Sequence, residues 1–386
     1  MGKPHRHRWV NVASRSLRFN GNTGKRADPV AYLVSVAQSL KINRSESSTG
    51  RQIGPPSQNF AMSGKRLPPT ETAAGWLFCL PWIIGFLALF VWPFFASAWW
   101  SFCQYDMVNP PRWVGGSNYG RLASDLVTQQ GFGQALTNTL YYSLLSVPLS
   151  VILGVLLAVL LSAPLRGQAI YRTLVFLPSV IPVVAASILW LWLLNPESGM
   201  VNYLLSWVGV PPQNWLNQAR PAISMETMEM IRQGGMVSSF KLFGSKDALV
   251  LMSLWGVGNF VVIYLAAISD IPRSLYEAAE MDGASPGRKL LHVTLPMLSP
   301  IIFFNLVMGL IRSVQTFTSI YILSEGTGAP AGSLKLISLE LFLSAFSDLE
   351  MGYASAMALL LFIGLALATL LLFRTSRYWV HYRMVA

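Results

Sequence analysis

The residues able to do chemistry are few and oddly placed. "EAAEMDGASPGRKLLHVTLP", residues 277–296, sets a carboxylate, Glu277, beside the small side chains of Ala278 and Ala279, then Gly283, then Leu295 and Pro296. A carboxylate flanked by alanines lets another protein surface come close and offers it an ion pair. Catalysis would need more: paired carboxylates, a histidine cluster, or a nucleophile with its base. The four histidines, His5, His7, His292 and His381, are scattered, and Cys79 and Cys103 have neither zinc nor disulfide spacing. No catalytic residue and no metal site is expected. The other unusual group is Arg312, a lone charge within a long apolar run. Trp255, Asn259 and Gln315 add an aromatic face and two amides, which could orient a neutral polar molecule, although ordinary helix packing uses the same side chains.

These residues must be held by elements built for lipid. The chain is 53% apolar and 12% charged, against about a quarter charged in a soluble domain. Crossing the hydrocarbon core takes about 20 predominantly apolar residues, and a backbone in lipid must satisfy its own hydrogen bonds. Six runs qualify: 75–95, 135–161, 174–194, 248–269, 297–318 and 353–373. The expected fold is an all-α integral membrane protein, with six transmembrane helices in one domain at 71–386. Pro81, Pro93, Pro148, Pro178, Pro182, Gly256 and Gly258 interrupt these runs. Such breakers either adjust packing or bend helices to leave a solvated path.

Charge sets the expected orientation. Residues 1–70 hold twelve Lys and Arg against Asp28 and Glu46, so +10 of the net +11 sits there. Further basic residues follow the second run (Arg166, Arg172), the fourth (Arg273, Arg288, Lys289) and the sixth (Arg374, Arg377, Arg383). Positive residues mark the cytoplasmic side, so both termini and the 277–296 segment are expected in the cytoplasm. With its charge confined to 1–70, the body of the chain offers no basic, aromatic-interleaved surface for nucleic acid. The 1–70 composition predicts disorder. It fits a presequence, and it equally fits residues upstream of a start at Met62.

The 277–296 segment reads as an elbow. Asp270 and Pro272 suit a helix start, Gly283 a left-handed stop, and Ser285-Pro286 a second start. That second helix is expected to run to about Val293, with Pro296 breaking the chain before the fifth run. The loop from Asn195 to Asp247 reads as a turn-rich cap, with a short helix near "SMETMEMIRQGG".

The pattern Glu277-Ala278-Ala279, Gly283 and Val293-Thr294-Leu295-Pro296 resembles the EAA loop of importer permeases powered by ATP-binding-cassette subunits. "AGWLFCLPWIIGF", "NTLYYSLLSVPLSVILGVLLAVLL", "YRTLVFLPSVIPVVAASILWLWLLNP", "WGVGNFVVIYLAAISDIPRSLYEAA" and "MGYASAMALLLF" resemble the carbohydrate branch of that family, which also takes glycerol-phosphate, over about residues 65–382. The resemblance implies an inner-membrane subunit paired with a second permease, two ATPases and an extracytoplasmic solute-binding protein. ATP would be bound by a partner, so no cofactor is expected on this chain. Glu277, Ala278, Ala279, Gly283, Leu295 and Pro296 would then form the contact with the ATPase. Trp255, Asn259, Arg312 and Gln315 are candidates for the solute pathway. Arg312 could instead snorkel to the outer interface or pair with Glu325. Three features depart from the family pattern: the 1–70 extension, the long loop near 217–247, and "RSVQTFTSIYILSEGTGAP". A membrane-embedded enzyme and a passive channel are the rival classes. The first lacks acids, histidines and lysines in the spans, and the second has no need of an elbow.

Overall fold

The computed structural model describes residues 69–163, 166–217 and 244–381. The chain divides into two compact units, Met1–Trp76 and Leu77–Ala386, and the fold below is that of the second. The basic extension, Met62, the short helix expected near 224–235 and most of the 217–247 loop lie outside the described residues.

The first apolar run is helical from α1 (Pro69–Phe86) through a π turn (Leu87–Val91) into α2 (Trp92–Trp100). The wider turn falls just before Pro93, whose ring and missing N–H an α-turn would not accommodate. Next, β1 (Cys103–Gln104) pairs antiparallel with β2 (Arg112–Trp113), Cys103 opposite Trp113, and α3 (Ser117–Thr128), which buries Leu122, follows them.

α4 (Phe132–Ser162) is the central helix, and Pro148 does not interrupt it. One face carries Asn138, Tyr142, Ser146, Ser150, Gly154 and Ala158, four residues apart and all buried. That spacing lines one side of a helix. The opposite face exposes Leu140, Leu144, Ile152, Leu156 and Leu160. Leucines turned outward on a helix of this length suit a lipid surface, where burial against protein is not required.

The third run, which Pro178 and Pro182 interrupt, is sharply bent. It divides into α5 (Gln168–Phe176), a 3-10 turn (Leu177–Val180) and α6 (Val183–Leu193), with 100° between the two arms. Pro178 and Pro182 remove two helix donors four residues apart, and Ile181 turns extended between them. α7 (Met200–Ser206) follows; there Asn202 accepts from the Trp215 indole at 2.8 Å and donates to the Gln213 carbonyl at 3.0 Å.

The fourth run is also broken, by 43°, between α8 (Ser245–Trp255) and α9 (Gly258–Ser269). Gly258 is needed there: a Cβ at that position would stand 2.5 Å from the Val175 carbonyl oxygen. α10 (Arg273–Met281) leads through Gly283 to α11 (Pro286–Lys289), a π turn (Leu290–Thr294) and α12 (Leu295–Val314). Pro296 therefore does not break the chain. It sits in the first turn of α12, and the π turn before it absorbs the lost hydrogen bond. α13 (Thr318–Leu323) and α14 (Ile337–Phe342), with its own π turn (Leu343–Ser347), precede the last helix, α15 (Met351–Ser376).

Among the described residues, four continuous helices are long and apolar enough to cross a membrane: Trp76–Trp100, Phe132–Ser162, Pro286–Val314 and Met351–Ser376. Counting each bent pair as one crossing gives up to six. The fold is helical throughout, apart from the two-residue strands. α8, α9 and α12 all pack on α4. The core has three parts, around Trp190 and Leu249, around Phe132 and Met357, and around Tyr264 and Leu298.

Candidate functional site

The elbow is built as its residue types require. α10 begins after Pro272, which is extended (ψ 131°), and ends at Asp282. Gly283 takes φ +72°, its N–H donating to the Glu280 carbonyl at 2.9 Å, while Ala284 N–H donates to the Ala279 carbonyl at 2.9 Å. Two bonds closing back over a left-handed glycine satisfy the last carbonyls of the helix. Ser285 is extended and Pro286 starts α11. Lys289 Nζ meets Glu280 Oε1 at 2.7 Å across the two arms, and the Tyr276 hydroxyl lies 3.0 Å from Thr294 Oγ1. These contacts hold the elbow against the foot of α12.

Glu277, Ala278 and Gly283 lie on the exposed surface of this elbow, and Ala279 is half-buried beside them. Leu295 and Pro296 do not join that surface; they are half-buried in the helix leading away from it. Met281 was not a candidate from sequence, yet it is 89% exposed at the tip. A flexible thioether standing free outside the apolar spans is the form of side chain that fills a partner's pocket. Its position one residue before the helix-ending Asp282 is the only sequence signal for it.

Between α4, α8, α9 and α12 lies a cavity of about 180 Å³. Its wall includes Tyr142, Ser146, Ser150, Ser253, Asn259, Asn305, Arg312 and Thr316. Two of the four candidate pathway residues, Asn259 and Arg312, thus come together. The other two do not. Trp255 packs edge-on to Trp190, ring centroids 5.9 Å apart, as part of the core. Gln315 closes the C-terminus of α12, its N–H donating to the Ile311 carbonyl at 3.3 Å. No ion pair joins Arg312 to Glu325 among the described residues.

Asn305, one of the wall residues, is fully buried. The Tyr264 hydroxyl is its polar neighbour, but no hydrogen bond of good geometry joins them. A buried amide without a bonded partner is uncommon and calls for a reason. Here it adds a donor and an acceptor to a wall already rich in hydroxyls. Hydroxyls, amides and one guanidinium can together bind a polyhydroxylated or anionic solute by hydrogen bonds.

A second, wider cavity of about 620 Å³ lies at the opposite end from the elbow, between β1, β2, α3 and the start of α15. Arg121 pairs there with Glu350 at 2.6 Å and lies over the Tyr353 ring, whose hydroxyl donates to Asp125. Asp106 is held below the usual carboxylate range by hydrogen bonds from the Asn109 and Val108 N–H groups and the Asn109 amide.

Residues 150–378 match the family described as binding-protein-dependent transport system inner membrane component. The chain is 39% identical over 323 residues to the probable ABC transporter permease protein YesP of Bacillus subtilis (strain 168), covering 83% of this chain and 96% of that one. It is 30% identical over 309 residues to the lactose transport system permease protein LacF of Rhizobium radiobacter, covering 78% and 94%. Its fold matches a chain of a bacterial alginate ABC transporter, crystallised with an alginate pentasaccharide-bound periplasmic protein. The TM-score is 0.63 at 24% identity, covering 80% of this chain and 95% of that one. With more than half its length inside the family match and near-complete coverage of its relatives, this chain belongs to the family of binding-protein-dependent transport system inner membrane components, a membrane transport permease and not an enzyme.

Proposed function

We propose that this permease forms the solute pathway of an ATP-driven importer for a sugar or sugar-like solute, and that a separate ATPase grips it at residues 277–296. The exposed helix–glycine–helix elbow carries this reading: Glu277 and Met281 stand out from it over a low alanine flank, while Lys289–Glu280 and Tyr276–Thr294 brace it from behind. A passive channel has no use for a braced protrusion of this kind. The cavity with Asn259 and Arg312 is the proposed solute contact, and the lactose permease among the relatives supports a saccharide. A second permease chain, two ATPase subunits and an external binding protein complete the proposed assembly. The ATP is held by the ATPases, and both termini and the elbow face the cytoplasm.

Glu277→Lys tests the reading. It reverses the exposed charge beside the alanine flank of the elbow and touches no apolar span. Membrane insertion should be unchanged, while the ATPase should no longer co-purify and uptake should be lost. Normal ATP-driven uptake by this variant would remove the elbow from the coupling role.

A further inference from the structure

Behind the elbow, a cavity of about 510 Å³ is lined by Arg172, Arg273 and Lys289, with Ser162, Tyr276 and Thr294 among its other residues. No carboxylate is among its described lining residues. Glu280 engages Lys289 from outside. Arg172, which lines the cavity, donates one bond to the Leu161 carbonyl at 3.2 Å. Arg273 has no ion pair or side-chain hydrogen bond among the described residues. Three basic side chains from three different elements therefore converge on one space, and of these Lys289 already has a carboxylate partner in Glu280.

That space continues into an apolar groove. The groove, about 290 Å³, runs between α5 and α9 and is walled by Val175, Phe176, Val261, Val262, Leu265 and Ala266. Arg172 and Ser269 line both the cavity and the groove, so the polar and apolar parts meet at these two residues. The groove exists because α5 stops at the Pro178 break and Gly258 lets α9 start against its backbone. Val262 is 47% exposed along it.

We propose that this composite cleft holds one anionic phospholipid of the cytoplasmic leaflet, its phosphate among Arg172, Arg273 and Lys289 and an acyl chain in the groove. The charge and the geometry both favour this occupant. Basic pockets between helices on the cytoplasmic side suit anionic headgroups, and a free anion would leave the adjoining apolar groove without a role. Arg273 and Tyr276 belong to α10, so the bound lipid braces the same helix that carries Glu277. The placement in the cytoplasmic leaflet rests on the orientation proposed above. The binding itself is measured without any ATPase, so it stands or falls apart from coupling.

The full chain, purified in mild detergent, is titrated with dioleoylphosphatidylglycerol or dioleoylphosphatidylcholine and bound lipid is counted by native mass spectrometry. The wild type should retain the glycerol lipid at least about fivefold better, and Arg172→Gln with Arg273→Gln should abolish that preference. Arg374→Gln with Arg377→Gln, which removes equal charge elsewhere on the same side, should keep it. Val262→Trp, which fills the groove and leaves the cations intact, should also weaken retention and serves if the arginine variant does not fold. Equal retention of the two lipids by the wild type would overturn the proposal, as would undiminished preference in both cleft variants. Full displacement by inorganic phosphate would make the site one for a free anion. Loss of lipid on forming a two-copy species would assign the groove to a neighbouring permease helix. Either result would overturn the lipid.

Discussion

Arg312 occupies the last turn of α12 and shares a cavity wall with Asn259, Asn305 and four serines. A guanidinium in that position can donate several hydrogen bonds to one solute. If it does, Arg312→Gln should reduce uptake about tenfold or more while the ATPase still binds, since a lost hydrogen bond to a charged group costs roughly 1.5–3 kcal/mol. A side chain that only reaches for the interface would change uptake less than about twofold. Measured transport into vesicles separates the two. Arg312 and Asn259 were legible in the sequence because a charge or an amide stands out in an apolar run. Asn305 carries the same signal, an amide in an apolar run, and what the sequence does not show for either amide is which side of its helix faces a cavity. The serines are still less legible: Ser146 and Ser150 follow the same four-residue spacing that ordinary small-residue packing would use. Trp255 packs on the core outside that wall, and its type could not tell the two apart, since an indole serves a core as well as a pathway.

At the scale of elements, Gly283 is the position where backbone conformation and the proposed coupling role meet. Its φ of +72° is open to glycine and tolerable to asparagine, and no atom lies within 4 Å of where a Cβ would be. Substitution there therefore acts through the backbone alone. Gly283→Asn should leave uptake near normal, and Gly283→Val should impair it, since a β-branched residue held left-handed costs about 1–3 kcal/mol. Gly283→Pro should be worse, because it also removes the N–H that bonds Glu280. Uptake assays on the three variants should rank them in that order, and equal behaviour of Asn and Val would separate the turn from coupling. The elbow was readable because proline, serine and glycine mark starts and stops locally. The continuation through Pro296 was not, because a π turn is set by how the helix packs and leaves no residue signature. The 100° break in the third run shows a similar limit: Pro178 and Pro182 announced a bend but gave no angle.

Across the whole molecule, charge is distributed unevenly, and nearly all the excess lies in 1–70. The apolar helices and both polar cavities are supplied by later residues. A chain started at Met62 should therefore insert and transport as the full chain does, with membrane fractionation and uptake as the measures. Loss of membrane targeting would show that the extension acts as an address. The larger consequence lies in one uninterrupted helical segment, Pro286–Val314. It begins at the elbow and carries Arg312 near its far end, about 39 Å away at 1.5 Å per residue. Under the proposed coupling, such a segment would work as a lever. A tilt of about 5° at the foot would sweep the guanidinium through about 3 Å, roughly the length of a hydrogen bond. A small push on the elbow could thus be enough to make or break a grip on the solute, with no signal relayed through intervening side chains.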